Sequence, residues 1–375
     1  MKLFNYLIFL PFYINPKTLS IAQSQQGING IPVGAVIIFL YLLFSIRIRN
    51  RSRVTNKKLK VHPTVIIFSL ITVIVTLISF IADSYKIFQL TAFTCLFMVI
   101  LSSMRIRWLN FQKAVTGLLL FVILHSISLL IYNSSPDVLF GNIVIHGVRS
   151  SYIVIISLLL VYLFSKLANG RMNFFYIIAI FSVLFVGYKI RVDAFYAFIL
   201  LFLCWIVTFQ AVKGRKNKLM YTYSTSLLFM VLPLLAVLFF YVFHDLGNIY
   251  EPLNIRIRVW FAQIDHIGLI PDYPRSGSAH NFILDILENS GYFLGVTLLV
   301  SFFYISLSIL NRAVYYMKIS SRNFDREIIL FVGLLILIAV QNTVNSGLSQ
   351  PIVLVFALTI VNEVMISLKE KSAHV

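Results

Sequence analysis

Apolar stretches long enough to cross a lipid bilayer recur along almost the whole chain, and this feature excludes most folds. AVTGLLLFVILHSISLLIY, residues 114–132, is one of them. An uncharged run of about 18 residues or more spans roughly 30 Å of hydrocarbon as a helix. Only a helix satisfies its own backbone there without a partner strand. Similar runs lie at 30–46, 64–82, 87–104, 150–168, 173–188, 192–211, 224–243, 291–311, 328–346 and 350–367. The short N-terminal run MKLFNYLIFLPFYINP lacks a small-x-small cleavage site and reads as a short first helix, tilted or only partly inserted. The sequence therefore predicts an all-α, polytopic transmembrane helical bundle of about 11–12 spans, with one larger outer loop. Composition agrees, with 59% hydrophobic and 12% charged residues among 375. The longest interval without a span, 244–290, is too short for a sizeable core, so residues 1–375 read as a single integral membrane domain.

A formal charge of +18 would suggest a nucleic-acid partner in a soluble protein. Here it reports orientation, and no nucleic acid is expected. The loops 47–60, 105–113, 165–171, 213–218 and 312–326 and the tail hold seven, three, two, four, four and two basic residues, all on one side of the predicted bundle. The opposite side holds Lys17, Lys86, Arg149, Lys189, Arg191, Arg256, Arg258 and Arg275. The excess of basic residues marks the cytoplasmic side. The 244–290 loop then faces outward, where there is no supply of ATP. A substrate acted on there must carry its own activated bond. Cys95 and Cys204 both fall in spans and suggest neither a disulfide nor a metal site.

That outer loop contains SGSAHNFILDILENSGYFLG, residues 276–295. Ser278 reads as an N-cap with Ala279 as the first helical residue. Asn281, Asp285 and Glu288 then share one face, opposite Phe282, Ile283, Ile286 and Leu287, the pattern of a helix lying at the membrane surface. Gly291 allows the chain to turn into the next span. His280 falls in the first turn. The positive end of the helix dipole disfavours imidazolium, leaving a neutral ring able to accept a proton. The same helix end suits phosphate. A histidine at an interface is commonly just an amphipathic side chain at the water boundary, but five of the eight outward basic residues are arginines. Arginine binds phosphate oxygens bidentately and stays charged when partly dehydrated. Arg256 and Arg258 precede Trp260, Arg191 opens a span, and Arg275 lies five residues before His280. Asp265–His266 is a weaker base pair, without a helix terminus to support it. Gln341, Asn342 and Asn345 read as helix-packing groups, as does His125. No Gly-rich phosphate loop, zinc spacing or DxD-like metal motif is present, so neither cofactor nor metal is expected.

These residues resemble the O-antigen polymerase and O-antigen ligase superfamily of bacterial membrane glycosyltransferases. The family pattern is an Arg shortly before a Trp in a large outer loop, then a His-Asn pair heading a helix that ends Glu-x-x-Gly-x-x-x-Gly. Arg256 and Trp260 match the first part, and His280, Asn281, Glu288, Gly291 and Gly295 the second. Arg191 matches an arginine at the outer end of an earlier span, although Ile190 and Val192 replace the small residues usual beside it. The resemblance covers about 40 residues plus Arg191 and the layout of spans.

It implies a polymerase of the bacterial inner membrane, with its active site facing the periplasm. The polymerase would join undecaprenyl-diphosphate-linked oligosaccharide repeat units without a metal. His280 and Asn281 would be the catalytic pair, with Arg191, Arg256, Arg258 and Arg275 on the diphosphate. The partners are the lipid-linked oligosaccharides, the bilayer and, as a further candidate, a chain-length regulator. A ligase transferring the same donor to lipid A core is the near alternative. A lipid-linked oligosaccharide flippase is the alternative of another class, disfavoured because charges are scarce at the span centres.

Overall fold

The computed structural model describes residues 4–7, 10, 110–133, 136, 138–140, 143–144, 149–170, 173–243, 251–269, 281–319, 323–344 and 351–372. The predicted spans at 30–46, 64–82 and 87–104 lie outside the described residues, as do Arg275, Ser278, His280 and Asn345. The elements in chain order are α1 (Phe4–Leu7), α2 (Phe111–Tyr132), β1 (Val138–Leu139), β2 (Ile143–Val144), α3 (Arg149–Leu167), α4 (Phe174–Ile190), α5 (Asp193–Ala211), α6 (Arg215–Val242), α7 (Glu251–Ile264), α8 (Phe282–Ile319), α9 (Asp325–Val344) and α10 (Pro351–Ser372).

Apart from one two-stranded antiparallel ladder, with Val138 opposite Val144, the described residues form helices and their connections. Five helices or helix arms are long and apolar enough to cross a membrane: α2, α5, α6, the part of α8 from Ser290 onward, and α9. Residues 153–167 of α3 and the whole of α4 are shorter apolar helices. The chain is a multi-pass membrane protein. Its outer surfaces show the same thing residue by residue. Phe174, Phe181 and Tyr188 of α4 stand seven residues apart on one stripe, and Phe181 is 69% exposed. Such a ridge suits lipid and would be costly in water.

Asparagine side chains start three of the helices. Asn110 Oδ1 accepts from Lys113 N–H at 3.2 Å and Asn173 Oδ1 from Tyr176 N–H at 3.1 Å, ahead of α2 and α4. Asn281 does the same for α8. Each satisfies a backbone donor that the first turn would leave unpaired. Central to the bundle is α9, which packs on α3, α5, α6 and α10 and is buried over most of its length.

The short α4–α5 and α5–α6 connections reverse the chain, so they lie at opposite ends of the bundle. At the basic end, Arg215 donates to the Met317 carbonyl and Lys218 pairs with Asp325 at 3.4 Å. Lys371 reaches the Asn323 carbonyl at 3.0 Å. The starts of α6 and α9 therefore meet the ends of α8 and α10. At the opposite end lie the α4–α5 turn, the end of α7 and, tied to it, the Gly291 break in α8.

Candidate functional site

The motif helix begins three residues later than the sequence suggests, at Phe282 rather than Ala279. Asn281, not Ser278, caps it. Its Oδ1 accepts from Ile283 N–H at 3.0 Å and Leu284 N–H at 3.3 Å. Its own carbonyl accepts the first helical bond, from Asp285 N–H at 2.8 Å. Asparagine caps at least as well as serine, so either residue could have ended the loop. His280 thus stands immediately before the cap in the chain.

The helix also does not lie at the surface with a wet polar face. Asn281 is 0% exposed, and Asp285 is buried with it. Asn281 Nδ2 donates to the Pro233 carbonyl of α6 at 3.5 Å. Leu284 clusters with Val237 of α6 and Trp260 of α7, while Phe282 and Ile283 enter the main core. The face the sequence assigns to water is covered because α6 and α7 pack over it.

Gly291 divides α8 into two arms. Its φ of 71° and ψ of 170° are not helical, a conformation in which a β-carbon is strained. The short arm folds back along the long one. Phe282 and Phe302, which would be about 30 Å apart on a straight helix, bring their rings to 5.3 Å. A β-carbon on Gly295 would stand 3.0 Å from the Leu287 Cα, so the two arms touch where only glycine fits. The N–H groups that lose helical partners at the break are used elsewhere. Tyr292 N–H donates to the Gly268 carbonyl at 3.0 Å, and Phe293 N–H to that of Leu269 at 3.5 Å. The glycines of the motif thus make a re-entrant hairpin tied to the end of α7.

On α7, Arg256, Trp260 and Gln263 fall at i, i+4 and i+7, along one stripe. Trp260 is buried against Leu284, and Arg256 is half-buried on the same side. Arg258, about 200° round the helix from Arg256, is exposed. The structure therefore separates the two arginines, and only Arg256 lies on the face that meets the short arm of α8. Asp265 and His266 are exposed at the end of α7.

Arg191 lies on another pair of helices, in the two-residue turn between α4 and α5. It is exposed and adopts a left-handed conformation, with φ 54° and ψ 56°. α7 packs on α8 and α6, whereas α5 packs mainly on α9 and α3, so Arg191 and Arg256 stand on helices that do not pack closely on each other. A left-handed arginine costs about 1–2 kcal/mol relative to glycine's freedom there. Arg191→Gly is expected to leave thermal unfolding unchanged or raise stability by up to about 1 kcal/mol. If that variant also lowers the activity of the protein in cells, the guanidinium serves that activity; a loss of stability would instead assign it to holding the turn.

Two buried polar residues near the hairpin have no counterpart in the sequence pattern. Gln263 Oε1 and Ser290 Oγ have no hydrogen-bond partner among the described residues. Gln341, Asn342 and His125, read as packing groups, are buried in α9 and α2. Among the described residues, no group of three or more His, Cys, Asp or Glu side chains could hold a metal ion.

No protein-family model matches this chain, and neither the curated proteins nor the solved structures contain a match to it.

Proposed function

We propose that the chain is a surface-polysaccharide polymerase that joins undecaprenyl-diphosphate-linked repeat units on the periplasmic face of the bacterial inner membrane. The observation that carries this reading is the meeting of two helices. The Arg256–Trp260 stripe of α7 packs on the Asn281-capped arm of α8, which puts an arginine on the α7 face that meets the arm. Arginine binds phosphate oxygens bidentately. The basic end of the bundle faces the cytoplasm, and about 11–12 spans complete the domain.

In the reaction, a hydroxyl oxygen of one repeat unit attacks the anomeric carbon of another. The new glycosidic bond forms as the bond from that carbon to the diphosphate oxygen breaks. The electron pair leaves with undecaprenyl diphosphate. His280 takes the proton from the attacking hydroxyl. Arg256, with Arg191 and Arg275, stabilises the charge that develops on the leaving group. Asn281 fixes the start of the helix and so the chain position of His280. A lipid diphosphate is already a good leaving group, so neither ATP nor a metal is required.

Deleting the gene in its host and resolving the surface glycolipids on a gel tests the assignment. The expected result is loss of the ladder, with a single capped repeat unit remaining. Loss of every repeat unit, with lipid-linked polymer accumulating, would instead indicate ligase activity. Lipid-linked single units held on the cytoplasmic face would indicate a flippase.

A further inference from the structure

The α7 stripe carries a residue that breaks its own pattern. Ile257, Trp260 and Gln263 form the buried side of this helix, while Ile255, Arg258, Ala262 and Asp265 are exposed. An apolar side chain is expected at the third buried position. Gln263 occupies it instead, 8% exposed, with its Oε1 lacking a donor. Ser290 is 2% exposed at the end of the short arm of α8, and its Oγ is likewise unpartnered. Each lies a few residues along the chain from one junction. Ser290 lies two residues before Tyr292, whose N–H donates at 3.0 Å to Gly268, itself five residues after Gln263. A buried acceptor without a donor gives up hydration for nothing in return. Such departures from local rules concentrate where a ligand completes the hydrogen bonds.

We propose that Gln263 and Ser290 form a hydroxyl-binding subsite for the first sugar of the diphosphate-linked donor, an inference that rests on the polymerase reading. Seven residues separate Arg256 from Gln263, about 10 Å along the helix axis. That is the reach of a diphosphate with one sugar ring attached. Arg256 then holds the diphosphate, and two turns further along Gln263 Oε1 accepts from a sugar hydroxyl. Ser290 Oγ, which can donate or accept, takes a second hydroxyl. Both atoms are shut off from solvent. A sugar reaches them by displacement of the short arm about Gly291, the non-helical residue inside α8.

Binding of two probes to the purified full-length protein tests this: undecaprenyl diphosphate alone, and lipid-linked single repeat units extracted from the host. Gln263→Leu is expected to bind undecaprenyl diphosphate like the wild type but the repeat unit about tenfold more weakly, the scale of one lost hydrogen bond. Its thermal stability should hold or rise, because leucine suits the buried stripe. Ser290→Ala should give a smaller loss of the same kind. Wild-type affinity for both probes in Gln263→Leu, or a fall in its stability, would overturn the subsite and leave the polymerase reading standing. If the wild-type protein binds neither probe, the polymerase reading itself fails and the subsite with it.

Discussion

Arg256→Ala and His280→Ala chains are each expected to insert and fold normally yet form no visible ladder, whereas Arg258→Ala keeps one. The contrast between the two arginines follows from the helix between them. Two residues turn the chain by about 200°, so both cannot face the same diphosphate from one side of α7. Arg256 shares its side with Trp260, which is buried against Leu284 on the motif arm, and Arg258 is exposed on the other side. Removing one charged donor from a developing oxyanion typically costs about 10² to 10³ in rate. Removing a general base costs about 10² to 10⁴. On the proposed polymerase reading, either loss takes a reaction that must repeat many times below detection. Arg258→Ala should stay within a few-fold of wild type, because an exposed arginine at the interface contributes mainly to local charge. The check is ladder intensity on a glycolipid gel, normalised to protein in the membrane fraction. A near-normal ladder from both Arg256→Ala and His280→Ala would remove the assigned site.

How far the sequence could be read depends on the solvent each residue meets. Helix limits were legible because charges and turn residues interrupt the apolar runs. The run at 192–211 becomes α5 at Asp193–Ala211, and that at 114–132 becomes α2 at Phe111–Tyr132. Which side of each helix faces the protein was not legible. On α5, Phe198 and Phe202 are buried while Leu200 and Leu203 are exposed. Lipid is as apolar as a protein core, so no periodic pattern separates them. The candidate site shows the opposite problem. Asn281, Asp285 and Glu288 do share a face, but a polar face in the sequence suggests water. Only the packing of α6 and α7 over the short arm shows that Asn281 and Asp285 are buried. The cap shifted from Ser278 to Asn281 because two good capping residues stand three apart. Arg256 and Arg258 could have been told apart from helical spacing alone, had 251–264 been read as a helix. Glu327 carried no motif, and its burial became visible only when α10 packed against α9.

Lys371→Ala is expected to destabilise the protein by about 3 kcal/mol. Glu327 lies in the first turn of α9, where the helix dipole favours an acid, yet it is only 1% exposed. Three groups from two helices hold its carboxylate. Lys371 Nζ of α10 approaches to 2.8 Å, Ser367 Oγ of α10 donates at 2.7 Å, and Arg326 is 3.8 Å away. Arg326 also faces Glu363 of α10 at 3.8 Å. The last turns of α10 therefore clasp the start of the central helix. The two halves of the main pair are not equivalent. The Lys371 side chain is 26% exposed and also lies over the Phe324 ring, so its ammonium can turn to water if the acid is lost. Glu327 has no such escape and would be left as a buried charge with its nearest cation gone. Glu327→Gln should thus cost clearly less than Lys371→Ala, since it leaves no buried charge uncompensated. Pairing Glu327→Gln with Lys371→Ala should recover most of the Lys371→Ala loss, because the double variant buries no lone charge. Thermal unfolding of the four purified proteins in one detergent gives the cycle directly. Equal losses from the two single variants, or no loss from Lys371→Ala, would mean that α9 is held by its apolar packing on α3, α5 and α6 rather than by this clasp.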